Sequence, residues 1–466
     1  MTVFRKPGLG FAPAHSADLT LEDGARVAVV GSGPAGSFFS YFLLDMCARA
    51  GLSVDVDLYE PRDFTHSAPQ GCNMCGGIIS ESLVQNLAAE GICLPPSVIQ
   101  RGIDSYVLHT DVGSARIATP LDEMRIGAVH RGAGPRDVKE RKWESFDHHL
   151  QEMALSKGAR LVSKRVDEAR WDGDRPSLSA RGGTPERYDL VAVAVGVNSS
   201  ALKVFEALGI GYCRPTVTKT LIREYHLGEA CVAETLGSSM HVFLLNIPRL
   251  EFAAIIPKGA YVTMCLLGES IDERLVQAFV DAPAVKRCMP PGWRPDERSC
   301  QCMPHISVQG VAKPYADRVV FIGDCGVTRL YKDGIGAAYR VAKAAARTAV
   351  FQGVSNAAFR EHYGPVCRRI AADNRLGKLM FLLTRVVQRV PIARRAIVHQ
   401  VACEQQKRPS ARHMSAILWG MFSGSAPYRD IFLRALDPRF VGQFMRSIGA
   451  ATLPRQAAEL EEEARR

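Results

Sequence analysis

The segment Gly31-Ser32-Gly33-Pro34-Ala35-Gly36 places glycines at the first, third and sixth positions of a six-residue stretch, directly after the β-branched run Arg26-Val-Ala-Val-Val30. A helical pattern, Phe38 to Arg49, follows. Strand, tight turn and helix in that order can hold a dinucleotide: the first glycine allows the turn, the second lets the backbone approach a pyrophosphate, and the third lets helix and strand pack closely. A second predicted strand, Ser53 to Tyr59, ends on Glu60. A carboxylate there lies where a ribose hydroxyl needs an acceptor, as in a βαβ unit.

A second constellation stands near the other end of the chain. Asp317 to Ile322 is a buried-type strand ending in Gly323-Asp324, and Gly334-Ile335-Gly336 opens a helical pattern from Ala337 to Val350. An acid at a strand end followed by a glycine-opened helix can hold a ribityl chain and direct a helix dipole at a flavin ring.

Together GSGPAG, Glu60-Pro61-Arg62, GDCG and GIGAAYRVAKAA resemble the flavoprotein superfamily that includes aromatic hydroxylases, quinone-reducing dehydrogenases and geranylgeranyl reductases. The resemblance covers roughly residues 25 to 365 and implies FAD. It assigns Gly31, Gly33, Pro34, Ala35, Gly36, Glu60 and Arg62 to the adenosine half, Gly323 and Asp324 to the ribityl-phosphate portion, and Gly334, Ile335 and Gly336 to the ring. Cys75-Gly76-Gly77-Ile78-Ile79 is similar to the Cys-Gly-Gly-Ala-Ile stretch that geranylgeranyl reductases carry beside the flavin, which places Gly76 at the cofactor and makes Cys75 a candidate catalytic residue. Glu251 to Lys258 resembles the same family's Tyr-x-Trp-x-Phe-Pro motif, but Phe252, Ala254 and Ile256 replace its aromatic residues and thin the wall of a prenyl pocket. Hydroxylases usually carry Asp-Gly where this chain has Val195-Gly196, and His and Pro where it has Gly326 to Asp333.

The activity so implied is reduction of carbon–carbon double bonds of a prenyl or other lipid-like substrate by hydride from reduced flavin. Two alternatives stay open: an FAD monooxygenase of an aromatic or polyketide-like molecule, and a flavin electron-transfer protein without its own organic substrate. No second strand-linked glycine fingerprint is present, so the electron donor is either NAD(P)H docking transiently or a reduced ferredoxin-like carrier. Cys72/Cys75 and Cys300/Cys302 form two close pairs expected near the flavin. Cys75 reads either as a redox-active or proton-donating thiol or as a small buried residue against the ring. A Cys-x-Cys half-site is unusual for zinc or iron, and no metal is assigned.

The elements that must position these residues read as α/β: a Rossmann-like FAD-binding domain, an inserted, mostly antiparallel β-sheet substrate domain, and a helical C-terminal region. The expected division is a loose arm over 1–24, a discontinuous FAD-binding domain over 25–205 and 300–365, a substrate domain over 206–299, and a basic, amphipathic helical region over 366–466. Substrate-domain strands are predicted at Thr216 to Glu224, Met240 to Ile247, Phe252 to Ile256 and Tyr261 to Leu267. Arg131 and Arg141 precede a predicted helix, Trp143 to Lys157, without the spacing that would tie either to the cofactor.

Of the 466 residues 47% are apolar and 23% charged, and no run reaches the roughly 18 apolar residues of a membrane span. The first two dozen residues lack the apolar core of a signal peptide, and thirteen irregularly spaced cysteines fit reduced thiols, so a cytoplasmic protein is expected. Arg368 to Ser415 holds eleven Lys/Arg against two Asp/Glu, so this stretch alone supplies most of the net +10 charge. No nucleic-acid motif accompanies it. Instead, Leu376, Leu379, Met380, Leu383, Val386, Val387 and Val390 form an apolar stripe beside Arg375, Lys378, Arg385 and Arg389. That pattern suits either packing on the flavin domain or a peripheral contact with an anionic membrane through 375–422, to which the apolar set Ile417 to Phe422 would add.

Overall fold

The computed structural model describes residues 19–120, 126–136, 143–296 and 299–452. Arg141 and most of the N-terminal arm lie outside these residues.

The first layer is a six-stranded sheet in the order Tyr315–Ala316, Val319–Phe321, Leu190–Val193, Ala25–Val30, Val54–Tyr59, Arg160–Val162. Its strands run parallel except at the Tyr315–Ala316 edge. Ala25–Val30 is central, and Val27, Ala28 and Val29 have no exposed surface, which is why the strand reads as an unbroken apolar run rather than an alternating one. The helix Pro34–Ala50 crosses over to Val54–Tyr59, which pairs with the first strand up to Val30 opposite Tyr59. This helix begins four residues earlier than its apolar pattern suggests, because proline in the first turn fits helical φ and has no N–H to leave unpaired. It packs on the long helix Gly334–Phe351, where alanines let the two approach and Phe38 and Phe42 both meet Tyr339 edge-on at 5.5 Å.

The second sheet follows the order Cys300–Cys302, Thr216–His226, Tyr261–Gly268, Leu250–Lys258, Ser239–Phe243, Ser105–Thr110, Gly113–Ala118, with His305–Gln309 also pairing on Thr216–His226. The four strands expected between 206 and 299 are all present. The sheet also recruits 105–118 and 300–309, so it is wider than the expected segment. Ser105–Thr110 joins in parallel, against Ser239–Phe243. This strand turns Tyr106 and Leu108 toward the C-terminal helices and His109 to the opposite face.

Period-two alternation gives this sheet two different faces. Met240, Val242, Phe252, Ala254 and Ile256 face the C-terminal helices, while Phe243, Ala253, Ile255, Val262 and Met264 pack among residues of Glu273–Val280 and Pro283–Lys286.

The C-terminal region is helical: Gly364–Arg389, Pro391–Gln405, His413–Ser423, Tyr428–Ala435 and Pro438–Ala451. His413–Ser423 is core, contrary to its expected part in an interfacial contact. Ile417, Leu418, Trp419, Met421 and Phe422 are buried, and Trp419 meets Tyr106 edge-on at 5.1 Å. The expected stripe on Gly364–Arg389 divides: Leu376, Met380 and Val387 pack inward, whereas Leu379, Leu383 and Val386, together with Leu382, are exposed. Among the described residues no helix is long and apolar enough to cross a membrane.

Candidate functional site

A cavity of about 590 Å³ runs from the carboxyl ends of the parallel strands to the face of the second sheet turned toward the C-terminal helices. Ligand clefts usually hold about 300–1,000 Å³.

At the parallel-sheet end the backbone forms the wall. Gly31 has φ +101, and a Cβ there would lie 2.7 Å from the Ala194 carbonyl oxygen. A Cβ on Gly36 would lie 1.8 Å from the Gly31 oxygen, so this glycine serves close packing of helix on turn and does not line the cavity. Gly33 caps the helix without any side-chain bond, and with Pro34 and Ala35 it lines the cavity, so the helix N-terminus opens onto it. Glu60 is buried, and its two oxygens accept from the Ser32 N–H at 3.0 Å and the Arg62 N–H at 3.1 Å. Burial outweighs these donors and raises its pKa. Each carboxylate oxygen keeps a lone pair for a further donor such as a ribose hydroxyl. Arg62 bonds Asn73, and both line the cavity.

Gly323 and Asp324 approach the same end. A Cβ on Gly323, whose φ is +68, would lie 2.8 Å from the Ala35 side chain. Asp324 has its pKa raised by burial, against the opposing pull of Thr328 and Arg131. Gly334 and Ile335 line the cavity, but Gly336 does not. A Cβ on Gly336 would lie 2.2 Å from the Asp333 carboxylate, so its role is to make room for that side chain at the head of the helix.

Cys75 and Gly76 also line the cavity. Cys75 lies against Arg131, which pairs with the fully buried Asp147 at 2.5 Å, and Asn73 donates to the same carboxylate. Burial opposes the charge on Arg131, but Asp147 and Cys75 hold its pKa above the ordinary value. The two cysteine pairs do approach one another: Cys302 has its pKa raised by burial, with Cys72 contributing. Beneath Gly77, Lys258 lies 3.3 Å from Glu224, which also accepts from Thr263 at 2.8 Å and stands 3.8 Å from His130.

Side chains from remote segments build the opposite end. Met240, Phe252, Ala254, Ile256, Cys265 and Leu267 come from the sheet, Phe381 and Phe422 from the C-terminal helices. The wall is therefore apolar, with the aromatics that the 251–258 segment lacks supplied from 381 and 422.

Into this wall projects Lys332, its ammonium 3.7 Å from the centroid of the Phe252 ring. Among the described residues it has no carboxylate or hydrogen-bond partner. Burial lowers its pKa from 10.5 to about 8. Its neighbours Tyr331 and Asp333 have φ of +60 and +55, a strained pair of positions for residues with side chains. The C-terminal helices hold this strain in place: Asn374 bonds Leu330 N–H and Thr328 C=O at 2.9 Å each, Tyr428 donates to the Leu330 carbonyl, and Arg329 donates to the Gly424 and Ala426 carbonyls.

Lys332, Arg131, Asp147, Asn73, Phe381 and Phe422 have no local sequence motif. Only the charged Lys332-Asp333 pair immediately before a glycine-opened helix gives a signal, because it sets a cation at the end of the Gly-Asp loop.

No family model and no curated protein matches this chain. Solved structures do. A geranylgeranyl bacteriochlorophyll reductase-like protein from Thermoplasma acidophilum is 15% identical with TM-score 0.58, and the match covers 95% of this chain and 100% of that one. A flavoprotein/dehydrogenase from Cytophaga hutchinsonii matches at 13% identity and TM-score 0.58, over 93% of this chain and 100% of its own. A p-nitrophenol 4-monooxygenase from Pseudomonas putida matches at 14% and 0.57, over 87% and 100%. These likenesses establish the fold, which reductase-like and monooxygenase proteins share.

Proposed function

We propose that this chain is an FAD-dependent oxidoreductase that reduces carbon–carbon double bonds of an apolar, prenyl-like substrate. The observation that carries the reading is the pairing, in one cavity, of a backbone-lined dinucleotide cradle with an apolar chamber into which the Lys332 ammonium projects. The fit to FAD rests on the cradle: glycine positions a Cβ would fill, an uncapped helix N-terminus, and the part-satisfied Glu60 carboxylate. Bound there, FAD would supply the two electrons and one hydrogen of the reduction.

The chain's own residues do the rest. Gly31, Gly33 and the helix N-terminus would hold the pyrophosphate of FAD, Glu60 a ribose, and Asp324 the ribityl side. Phe252, Ile256, Leu267, Phe381 and Phe422 exclude water and align an apolar chain along the cavity. Lys332 holds the remaining proton at Nζ, for delivery to the second carbon of the double bond. An ammonium whose pKa is lowered to about 8 is charged at neutral pH yet readily gives up its proton, as a general acid requires. Lys332 is placed better for this than Cys75, which faces Arg131.

An apolar substrate needs a route in, and the helix that contributes Phe381 also presents Leu379, Leu382, Leu383 and Val386 to solvent, flanked by the exposed Arg375, Lys378 and Arg389. We assign this face to an anionic lipid surface, on which basic and apolar groups act together.

The purified, FAD-loaded protein is reduced anaerobically with dithionite and then mixed in separate runs with a prenyl alkene or a quinone, both without oxygen, or with oxygen plus a phenol. Reoxidation by the alkene with a saturated product is expected. Reoxidation by the quinone alone, or a hydroxylated phenol, would overturn the reductase reading.

A further inference from the structure

The face of the second sheet turned away from the cavity carries a second, independent site. His109 Nε2 and His241 Nδ1 are 2.8 Å apart, and Cys288 Sγ lies 3.4 Å and 3.3 Å from them. All three side chains are buried. Among the described residues they form a group of metal-ligating type with every ligand atom within 4.8 Å of the others. Their sequence separations, 132 between the histidines and 47 from His241 to Cys288, carry no ligand pattern.

We propose that His109, His241 and Cys288 bind a single zinc ion that fastens the segment around Pro283–Lys286 to the substrate sheet. Zinc takes imidazole nitrogen at about 2.0–2.1 Å and thiolate sulfur at about 2.3 Å, so tetrahedral ligand atoms stand roughly 3.3–3.7 Å apart. The two sulfur–nitrogen distances come within about 0.3 Å of this geometry, and the imidazoles need part by about half an ångström. Both rings lie on the same face of two paired strands, with planes 15° apart, so a small rotation of each suffices.

The surroundings suit a metal. His109 Nδ1 bonds Ser114 Oγ at 2.7 Å, and the His241 ring also bonds the Leu236 carbonyl. Ligating imidazoles characteristically have such an oxygen on the remaining nitrogen, which fixes the ring and its tautomer. The Phe243 ring stacks on His109 at 4.7 Å and closes that side from water. Burial raises the pKa of the Cys288 thiol, with Arg287 opposing, so the proton leaves only as the metal takes its place. A fourth position is left for water. Binding is ligand exchange without electron transfer: zinc gives up water, and the Cys288 thiol loses its proton to solvent.

The site has no counterpart in the proposed reaction, so it is tested without reference to turnover. The full chain, purified without chelator, is assayed for metal by mass spectrometry, then stripped and titrated with zinc chloride and, in parallel, with cobalt chloride. Expected are one zinc per chain, a melting temperature that falls on stripping and recovers with zinc, and a thiolate-to-cobalt charge-transfer band that Cys288→Ser abolishes and Cys72→Ser retains. His109→Gln guards against a folding failure in the cysteine variant, since it removes a ligand while leaving Cys288 to pack. A stripped protein that neither gains stability with zinc nor shows the cobalt band overturns the proposal, as does a band that survives Cys288→Ser.

Discussion

The two ends of the cavity are built from different materials. The dinucleotide end is mostly backbone: glycines, a helix N-terminus, and the two carboxylates of Glu60 and Asp324, contributed by strand-turn-helix units contiguous in sequence. The substrate end is side chain, assembled from the 240–267 strands, the loop at 331–333 and helices beyond residue 364. Backbone chemistry tolerates almost no substitution and so leaves a local signature. Side-chain chemistry can be supplied from anywhere in the chain, and here the aromatics thinned at Ala254 and Ile256 return at Phe381 and Phe422.

Within the backbone-built end, Gly36 and Gly33 separate packing from binding. A Cβ at position 36 meets backbone at 1.8 Å, so Gly36→Val should cost more than about 4 kcal/mol and yield insoluble or molten protein. At position 33 the nearest atom to a Cβ is Asn73 Nδ2 at 3.4 Å, so Gly33→Val should fold with an ordinary urea midpoint yet bind FAD at least about 100-fold more weakly. Full retention of yellow colour in Gly33→Val would mean the cradle is not where the pyrophosphate lies.

The seam between the two ends is Arg131 and Asp147. Removing one partner leaves a buried charge alone, so Arg131→Met should destabilise by about 3–5 kcal/mol in urea unfolding. Adding Asp147→Asn should restore part of that. A cost below about 1 kcal/mol would mean that the pair is wet and loosely held.

On the substrate side, Lys332→Met should lower the rate of double-bond reduction about 100-fold while leaving FAD content unchanged. The wild-type rate should fall as pH rises through about 8, because the donor is lost as Lys332 deprotonates, and the variant should lose that limb. The stability change has the opposite sense. The folded pKa lies below the ordinary 10.5, so burial of the charge costs stability in full below pH 8 and stops costing it above 10.5. The wild type should therefore gain on the variant across that window in parallel urea titrations.

These contrasts follow what was legible. Gly31, Gly33, Glu60, Gly323, Asp324 and the two helices they open stand in sequence as they stand in space, and the strands between 216 and 267 follow from alternation. Gly336 was misplaced because a glycine beside a cofactor and one that makes room for a neighbouring Asp look alike until the helix cap is seen. Ile417 to Phe422 was misplaced because an apolar run has the same composition whether lipid or a sheet covers it. Ser105–Thr110 was absent from the expected sheet because parallel pairing to a strand more than 130 residues away has no local trace.

The smallest effect on the folded protein is expected at the outward face of Gly364–Arg389, and it bears on why the substrate end recruits C-terminal helices at all. Leu382 and Leu383 are 55% and 51% exposed, so Leu382→Glu with Leu383→Glu should change stability by within about 0.5 kcal/mol per site. If the face lies in a lipid surface, each leucine gains up to about 1.5–3 kcal/mol on burial, and two together set the partition. Sedimentation with vesicles containing anionic lipid should then fall more than about 10-fold in the double variant, and wild-type binding should weaken with added salt as Arg375, Lys378 and Arg389 are screened. Equal sedimentation of both proteins would detach this face from the lipid and leave its leucines as ordinary surface. The helix would then serve the cavity alone, through Phe381 and the Asn374 bonds that hold the strained loop at Lys332.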